Sequence, residues 1–387
     1  MAAPPRTPSG RYLHQTGGYE AFLPEPLPPP GLDLDRGLAV LLSDAHHALG
    51  RLDGIARAVP DRNLFLFTYI RREAVLSSQI EGTQASLMDV LEYEASLREP
   101  GRSGDVLEIL NYVDAVDYGL RRLDTLPVSR ALLCEVHGVL MRGVRGGEPG
   151  KTPGEFRRSQ NWIGGSSPAN ALYVPPPHTE VDAAFSELER FLHDRTGEIP
   201  PLVRIGLAHA QFESIHPFLD GNGRLGRLLI AFWLSEEGLL RDPLLYLSLY
   251  FKEHRQTYYD LLQETRTSGD WRRWLAFFLE GVARVAREAS ETAARIHALR
   301  EELREQLQAS GRRSTNSLIL LDQLFRQPGV TVATVQRIIA SSQPTALSLT
   351  NQFVDLGILN ETTGRRRNRV FFFSKYLAMF SETAIVD

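Results

Sequence analysis

Residues His216 to Arg227 read HPFLDGNGRLGR, one histidine, one acid, three glycines and two arginines set between apolar runs of helical spacing. A buried core has no use for this composition, because glycine weakens a helix and a buried guanidinium without partners is costly. Upstream, VRIGLAHAQFESI has the periodicity of a helix, and Pro217 stops it directly after His216. Four residues, Phe218 to Gly221, then lead into NGRLGRLLIAFWL, whose apolar spacing predicts a second helix from Asn222. The stretch is therefore read as a tight corner between two helices, and the fold around it as mainly α.

The corner has a chemistry of its own. Gly221 and Gly223 let the backbone turn and leave N–H groups exposed at the start of the second helix, a ready anion site. Arg224 and Arg227, three apart, are expected on one side of its first turn, where two guanidinium groups suit a polyphosphate. Asp220 supplies a hard oxygen for Mg²⁺ carried in with phosphates, and His216 is a general base for neutral pH. Base, magnesium ligand and phosphate cradle together describe transfer from a nucleotide to a hydroxyl. The stretch lacks the spacing and terminal Lys-Ser/Thr of a P-loop, and no strand precedes it. A zinc site of His209, Glu213 and His216 lacks the zincin spacing, and His209 is read as a hydrogen-bonded core histidine.

The chain of 387 residues is long enough for two or three units, with 43% hydrophobic and 23% charged residues, as in an ordinary globular protein. Its net charge of -4 confines any nucleic-acid contact to a local patch. The single cysteine excludes an internal disulfide and the usual zinc-finger ligands. With neither a signal-peptide core nor an apolar run of membrane-spanning length, the expectation is a cytoplasmic protein with no membrane contact.

Residues 1–31 are proline-rich and predicted to lie extended on the surface. Helices are predicted from about Asp33, across LFLFTYIRREAVLSSQI to a stop at Gly82, and over Val106–Leu123, Ser129–Met141, Glu180–Leu192, Leu202–Ile215, Leu225–Glu237, Phe251–Thr267 and Trp271–Leu307. One interruption, Phe156 to Pro177, carries a glycine pair, the turn SSPAN and three prolines, and is read as a β-hairpin on the helical body. Past SGRRSTNS, three short helices and a hairpin with glycine at its tip outline a winged helix-turn-helix. Residues 310–375 hold nine Lys/Arg against three acids, a net +6 that leaves -10 for the rest.

The opening stretch resembles the signature of the Fic family, His-Pro-Phe-x-Asp/Glu-Gly-Asn-Gly-Arg-x-x-Arg, with every specified position filled. REAVLSSQIEGT resembles the family's inhibitory helix at Ser77, Glu81 and Gly82, LYVPPP its flap, and the ending the winged-helix tail of some bacterial members. The resemblance implies an N-terminal region with the inhibitory helix at 1–100, a Fic catalytic core with a β-hairpin flap at 101–309, and a small winged helix-turn-helix domain at 310–387. It further implies adenylylation, the transfer of AMP from ATP to a Ser, Thr or Tyr hydroxyl of a protein. Carried over by position, His216 deprotonates that hydroxyl and Asp220 holds Mg²⁺ between the α- and β-phosphates. Gly221, Asn222 and Gly223 line the anion hole, Arg224 takes the inner phosphates, and Arg227 takes the γ-phosphate. Ile163, Gly164, Gly165 and Ser166 approach the nucleotide, and Tyr258 and Tyr259 match a tyrosine pair near adenine, although a packed aromatic reading of that pair stays open. Arg266 stands where some relatives carry asparagine. The protein substrate lies along the flap by strand addition.

Self-modification and a homodimer are further expectations of the resemblance. Glu81, four residues after Ser77 and so on one helix face with it, is expected to pair with Arg227 and restrain the enzyme. Relatives that transfer phosphocholine, UMP or phosphate, and others that remove AMP, mark alternatives, and the intact Arg227 favours AMP transfer. The rival of another class is a regulator that binds DNA through residues 310–375.

Overall fold

The computed structural model describes residues 6–58, 63–95, 104–194, 196–361 and 369–380. Eleven helices build its larger part: α1 (Arg36–Ala58), α2 (Asn63–Ile80), α3 (Leu87–Ala95), α4 (Gly104–Arg122), α5 (Arg130–Leu140), α6 (His178–Leu192), α7 (Pro201–Ile215), α8 (Asn222–Glu236), α9 (Ser248–Glu253), α10 (Arg255–Thr267) and α11 (Trp271–Ala309). Their starts follow local chemistry. Ser129 caps α5 by accepting from the Leu132 N–H, Asp270 caps α11 through Arg273, and Pro201 opens α7 where no amide donor is needed.

At the centre lie α7 and α8. Every residue from Leu202 to Ile215 is buried, polar ones included, so α7 has no solvent face. The amphipathic α11 packs along α1, and Trp274 on its inner side donates from Nε1 to the Gly206 carbonyl of α7 at 2.8 Å. Against α7 and α8 pack α4, α5, α6 and α10, and α2 lies over α4 and α9.

Two boundaries differ from the sequence reading. The helix expected over Phe251–Thr267 is two, broken at His254 (φ -109°, ψ 34°), and α3 was not foreseen. The proline-rich start is also more ordered than an extended tail. Strands β1 (Arg6–Thr7), β2 (Gly10–His14) and β3 (Glu20–Pro24) form an antiparallel meander in which Gly10 pairs with Pro24 and His14 with Glu20. It is tied to the body by hydrogen bonds from the Phe22 N–H to the Val174 carbonyl and from Trp271 Nε1 to Ser9 Oγ, both 2.9 Å.

The hairpin over Phe156–Pro177 is reduced to a single antiparallel bridge, Ile163 with Tyr173. Gly164 and Gly165 both take positive φ directly after Ile163, a one-turn helix at Pro168–Asn170 makes the tip, and prolines 175–177 have no N–H to donate. No longer ladder can form.

After α11 come α12 (Thr315–Arg326), α13 (Val332–Ile338) and α14 (Gln343–Asp355), capped by Ser314, Thr331 and Ser342. With them, β4 (Gly329–Val330), β5 (Asn360–Glu361) and β6 (Phe371–Phe372) form an antiparallel sheet in the order β4-β6-β5, followed by the short α15 (Ser374–Leu377). The arginines expected at the hairpin tip, Arg365 to Arg367, lie outside the described residues. The buried side chains of this part join the same hydrophobic cluster as the rest, with α12 packed on α2 and β4 on α3.

Candidate active site

His216 caps the C-terminus of α7 in the left-handed conformation (φ 50°, ψ 60°), a costly place for a residue with a Cβ. Its surroundings hold it there. Arg157, buried, donates from Nε to the His216 carbonyl at 2.9 Å and from Nη2 to the Pro176 carbonyl at 2.6 Å. Asn161 donates to the Phe218 carbonyl at 2.8 Å. Asn222 closes the loop from the far side, accepting from the Phe218 N–H at 2.9 Å and donating to its carbonyl at 2.8 Å. With both ends of its amide engaged, Asn222 acts as a clasp for the loop.

Beneath the loop, His137 accepts from the Gly154 N–H through Nδ1 and so donates from Nε2 to the Asp220 carbonyl at 3.0 Å. Its ring stacks on Phe218 at 3.9 Å. Burial, the largest influence, brings His137 down to about 4, so it is a neutral structural ring.

The turn into α8 is made at Gly221 (φ 75°). From the first turn, Arg224 and Arg227 diverge. Arg224 lies 3.5 Å from the Glu108 carboxylate of α4 and 3.9 Å from Asp220. Arg227 reaches the end of α2 and the turn after it, donating from Nε to Ser77 Oγ and from Nη2 to both the Ser77 carbonyl and Glu81 Oε1, each at 2.8 Å. The guanidinium is almost wholly buried, whereas the Glu81 side chain is 36% exposed. Burial opposes the charge on Arg227, but the Glu81 carboxylate and nearby tyrosines raise its pKa above the ordinary arginine value. Glu81 also lies against the helix start. A Cβ on residue 223 would sit 2.2 Å from Glu81 Oε1, so only glycine admits the carboxylate there. Gly82, φ 103°, turns the chain immediately afterwards.

A cavity of about 680 Å³ opens on this arrangement. His216, Gly223, Arg227, Glu81, Ile163, Gly164, Tyr258 and Tyr259 all line it. Ser77 holds Arg227 from behind, and Asp220, Gly221, Asn222 and Arg224 stand beside the cavity, outside its lining. In the hairpin tip Gly165 packs on Asn170, whose carboxamide also binds the N–H and hydroxyl of Ser166. Of the tyrosines, Tyr258 is buried and its hydroxyl meets His209 Nε2 at 2.9 Å, while Tyr259 is partly exposed. His209 is a core histidine. Its Nδ1 bonds the Gly226 carbonyl at 2.9 Å, and burial lowers its pKa to about 3.

The electrostatics of the cavity rest on buried charged residues packed around it. Arg266 is buried, lies 3.8 Å over the Tyr173 ring, and bonds Ser214 Oγ and the Glu213 carbonyl, both at 3.1 Å. Burial, then Arg266, then Arg157 lower the His216 pKa to about 3, so the ring is neutral and able to take a proton. Glu213 is also buried, with its pKa raised by that burial to about 7. On α2, Glu73 accepts from Ser248 Oγ and from the Tyr112 hydroxyl, and burial raises it to about 7 as well. No periodicity distinguishes Arg157 or Asn161 from ordinary polar residues. They become site residues only where distant segments meet.

A helical body that gathers a histidine, two arginines and a glycine-punctuated helix start at one loop defines a class of protein. Residues 39–121 match the Fic/DOC family N-terminal region and residues 127–234 the Fic/DOC family itself, and the chain belongs to that family. Over 128 residues it is 34% identical to the protein adenylyltransferase Fic of Aedes aegypti and, equally, to that of Culex quinquefasciatus, matches that cover 33% of this chain. The chain spans about a quarter (23%) of the length of these curated relatives. Its fold is similar to that of a Fic family protein from Desulfovibrio desulfuricans G20 (TM-score 0.57, 19% identity, 89% of this chain and 98% of that one). It is also similar to a Fic domain-containing signaling protein from Bacteroides thetaiotaomicron (TM-score 0.50, 17% identity, 66% of this chain and 97% of that one).

Proposed function

We propose that the chain is a protein adenylyltransferase that moves AMP from ATP to a Ser, Thr or Tyr hydroxyl of a protein, with Glu81 as its built-in inhibitor. One observation carries this reading. Arg227, the anchor for a terminal phosphate, is held at the cavity wall by Ser77 and Glu81, in the same cavity as the neutral base His216 and the open helix start at Gly223. In the transfer, the hydroxyl gives its proton to His216 as its oxygen attacks the α-phosphorus, and the bond to the β-phosphate oxygen breaks to release pyrophosphate. The bound phosphates meet Arg227 and the α8 N–H groups, whose partial positive charge favours anions. Entry of the γ-phosphate requires Glu81 to leave Arg227.

Asp220 fits a magnesium ion. One of its oxygens is tied to the Gly221 N–H at 2.7 Å, and the side chain is 40% exposed, so an oxygen remains for a hard cation. No group of three or more His, Cys, Asp or Glu able to hold a metal occurs among the described residues, which suits an ion held by one carboxylate and the nucleotide phosphates. Bound there, Mg²⁺ offsets charge on the phosphates.

The protein substrate approaches along the hairpin, where Leu172 is 80% and Trp162 40% exposed beside the cavity. Among the described residues no helix is long and apolar enough to cross a membrane. For the DNA-binding alternative, α14 is the element that would enter a groove, and its exposed Gln343, Thr345, Leu347, Ser348 and Asn351 include no Lys or Arg. Incubation with Mg²⁺ and α-labelled ATP tests the proposal: label on protein, lost in His216→Ala, supports it. Absence of label from Glu81→Gly under the same conditions refutes it.

A further inference from the structure

The third glycine of HPFLDGNGRLGR, Gly226, has no part in turn or anion site, since it lies inside α8. Its neighbour explains it. A Cβ on residue 226 would fall 2.4 Å from Glu213 Oε1, so the missing side chain is the slot in which the Glu213 carboxylate rests. Glu213 is 6% exposed, and Oε1 has no hydrogen-bond partner. Its other oxygen, Oε2, lies 3.8 Å from His216 Nδ1. That nitrogen is itself buried without a partner; the Glu213 backbone carbonyl is near enough to favour the protonated ring weakly but completes no hydrogen bond.

Transfer makes His216 an imidazolium inside a wall that already carries Arg266 and Arg157, both of which oppose a third positive charge. A base so opposed needs a compensating anion at the moment it accepts the proton. We propose that Glu213 is a positioning residue for the reaction: its carboxylate, seated in the Gly226 slot, orients the His216 ring through Nδ1 and stabilises the imidazolium formed when Nε2 takes the hydroxyl proton. This rests on the adenylyl-transfer reading above. It follows the logic of catalytic bases held by a third, carboxylate group. The proton passes from the hydroxyl to Nε2, the new O–P bond replaces the α–β bridge, and Glu213 neither gains nor loses a proton. The charged and titratable groups facing its carboxyl are His216 of the loop, Arg227 of α8, Glu81 just past α2, and Arg266, Tyr258 and Tyr259 of α10.

The test uses the full chain carrying Glu81→Gly, so that inhibition does not mask the effect. Adding Glu213→Gln, which keeps shape but not charge, is expected to lower kcat for transfer by about ten- to a hundredfold, less than loss of the general base itself, which typically costs about 10² to 10⁴-fold. The KM for ATP should stay within about twofold, and the rise in rate through about pH 7 should disappear. Gly226→Ala, which leaves the carboxylate intact but displaces it, should give a similar kcat loss and serves if the glutamine variant does not fold. Unchanged kcat at every pH in a folded variant overturns the proposal. Independently of activity, the ¹⁵N shifts of the His216 ring at neutral pH should move between parent and Glu213→Gln, and unchanged shifts overturn it too. Failure of the Glu81→Gly parent to transfer AMP overturns the enzymatic reading instead, and the ring shifts still decide the Glu213–His216 contact.

Discussion

Replacing Glu81 with glycine removes one of three hydrogen bonds that Arg227 makes to the end of α2 and the residue after it, and the other two, to the hydroxyl and carbonyl of Ser77, remain. The guanidinium should therefore stay in place, free at one donor for a phosphate. A hydrogen bond to a charged group contributes about 1.5–3 kcal/mol, and the partial exposure of Glu81 lowers its share to about 1–2 kcal/mol. At about 1.4 kcal/mol per tenfold, loss of that competition alone should raise labelling by about 5- to 30-fold when ATP is below saturation. A second effect adds to it. Glu81 Oε1 occupies the space above Gly223, so with it present, on the proposed reading, bound phosphates should be held off the α8 N–H groups and out of line with the attacking hydroxyl. In-line geometry is worth orders of magnitude, so a gain persisting at saturating ATP measures misplacement, while a gain confined to low ATP measures competition. The assay is auto-labelling from α-labelled ATP and Mg²⁺ over a range of ATP concentrations. Adding Arg227→Ala should cancel the gain. If Glu81→Gly labels no faster than the parent at any ATP concentration, inhibition by this pair is refuted.

Four further outcomes are expected. His216→Ala should cut transfer by about 10² to 10⁴-fold with ATP affinity nearly intact, measured by rate and equilibrium binding, since the phosphates rest on other groups, and Asp220→Ala should lose magnesium dependence together with activity. Burial lifts the Glu73 carboxyl from 4.5 to about 7, so the folded chain holds a proton that the unfolded chain has released; stability should fall as pH rises from about 4.5 to 7, with the penalty complete above that. Glu73→Gln should remove part of that slope, on the order of 3 kcal/mol at most, in denaturant melts across pH 5 to 8, and an unchanged slope counts against the assignment. Neutralising Arg365 to Arg367 should weaken any duplex binding and flatten its salt dependence, and no binding at low salt removes the DNA reading.

Periodicity and punctuation made most of the helices legible: α7 and α8 follow from apolar spacing, Pro217 and the glycines, and the bounds of α4, α5 and α6 lie within two residues of expectation. The same local reading missed α3, whose LMDVLEYEA is too short to show a clear period, and merged α9 with α10, because the break at His254 leaves the apolar spacing intact. It also left the first residues as an extended tail, because strands of two to five residues acquire their partners only when the chain folds back on itself. At the site, residue types and spacing singled out His216 and both arginines, and the family resemblance implied the Glu81–Arg227 pair, whose contact the structure contains. What they could not settle was direction. Arg224 and Arg227, three residues apart, turn to different neighbours because α4 offers Glu108 to one, and α2 and the turn after it offer Ser77 and Glu81 to the other. The left-handed His216 depends on Arg157 and Asn161 from the hairpin segment, and the setting of its ring on Glu213 depends on a slot left by Gly226 on another helix. Local spacing determines which residues share a helix face. Burial, charge compensation and the orientation of a base arise from atoms far apart in the chain, and only the packed tertiary structure brings those together.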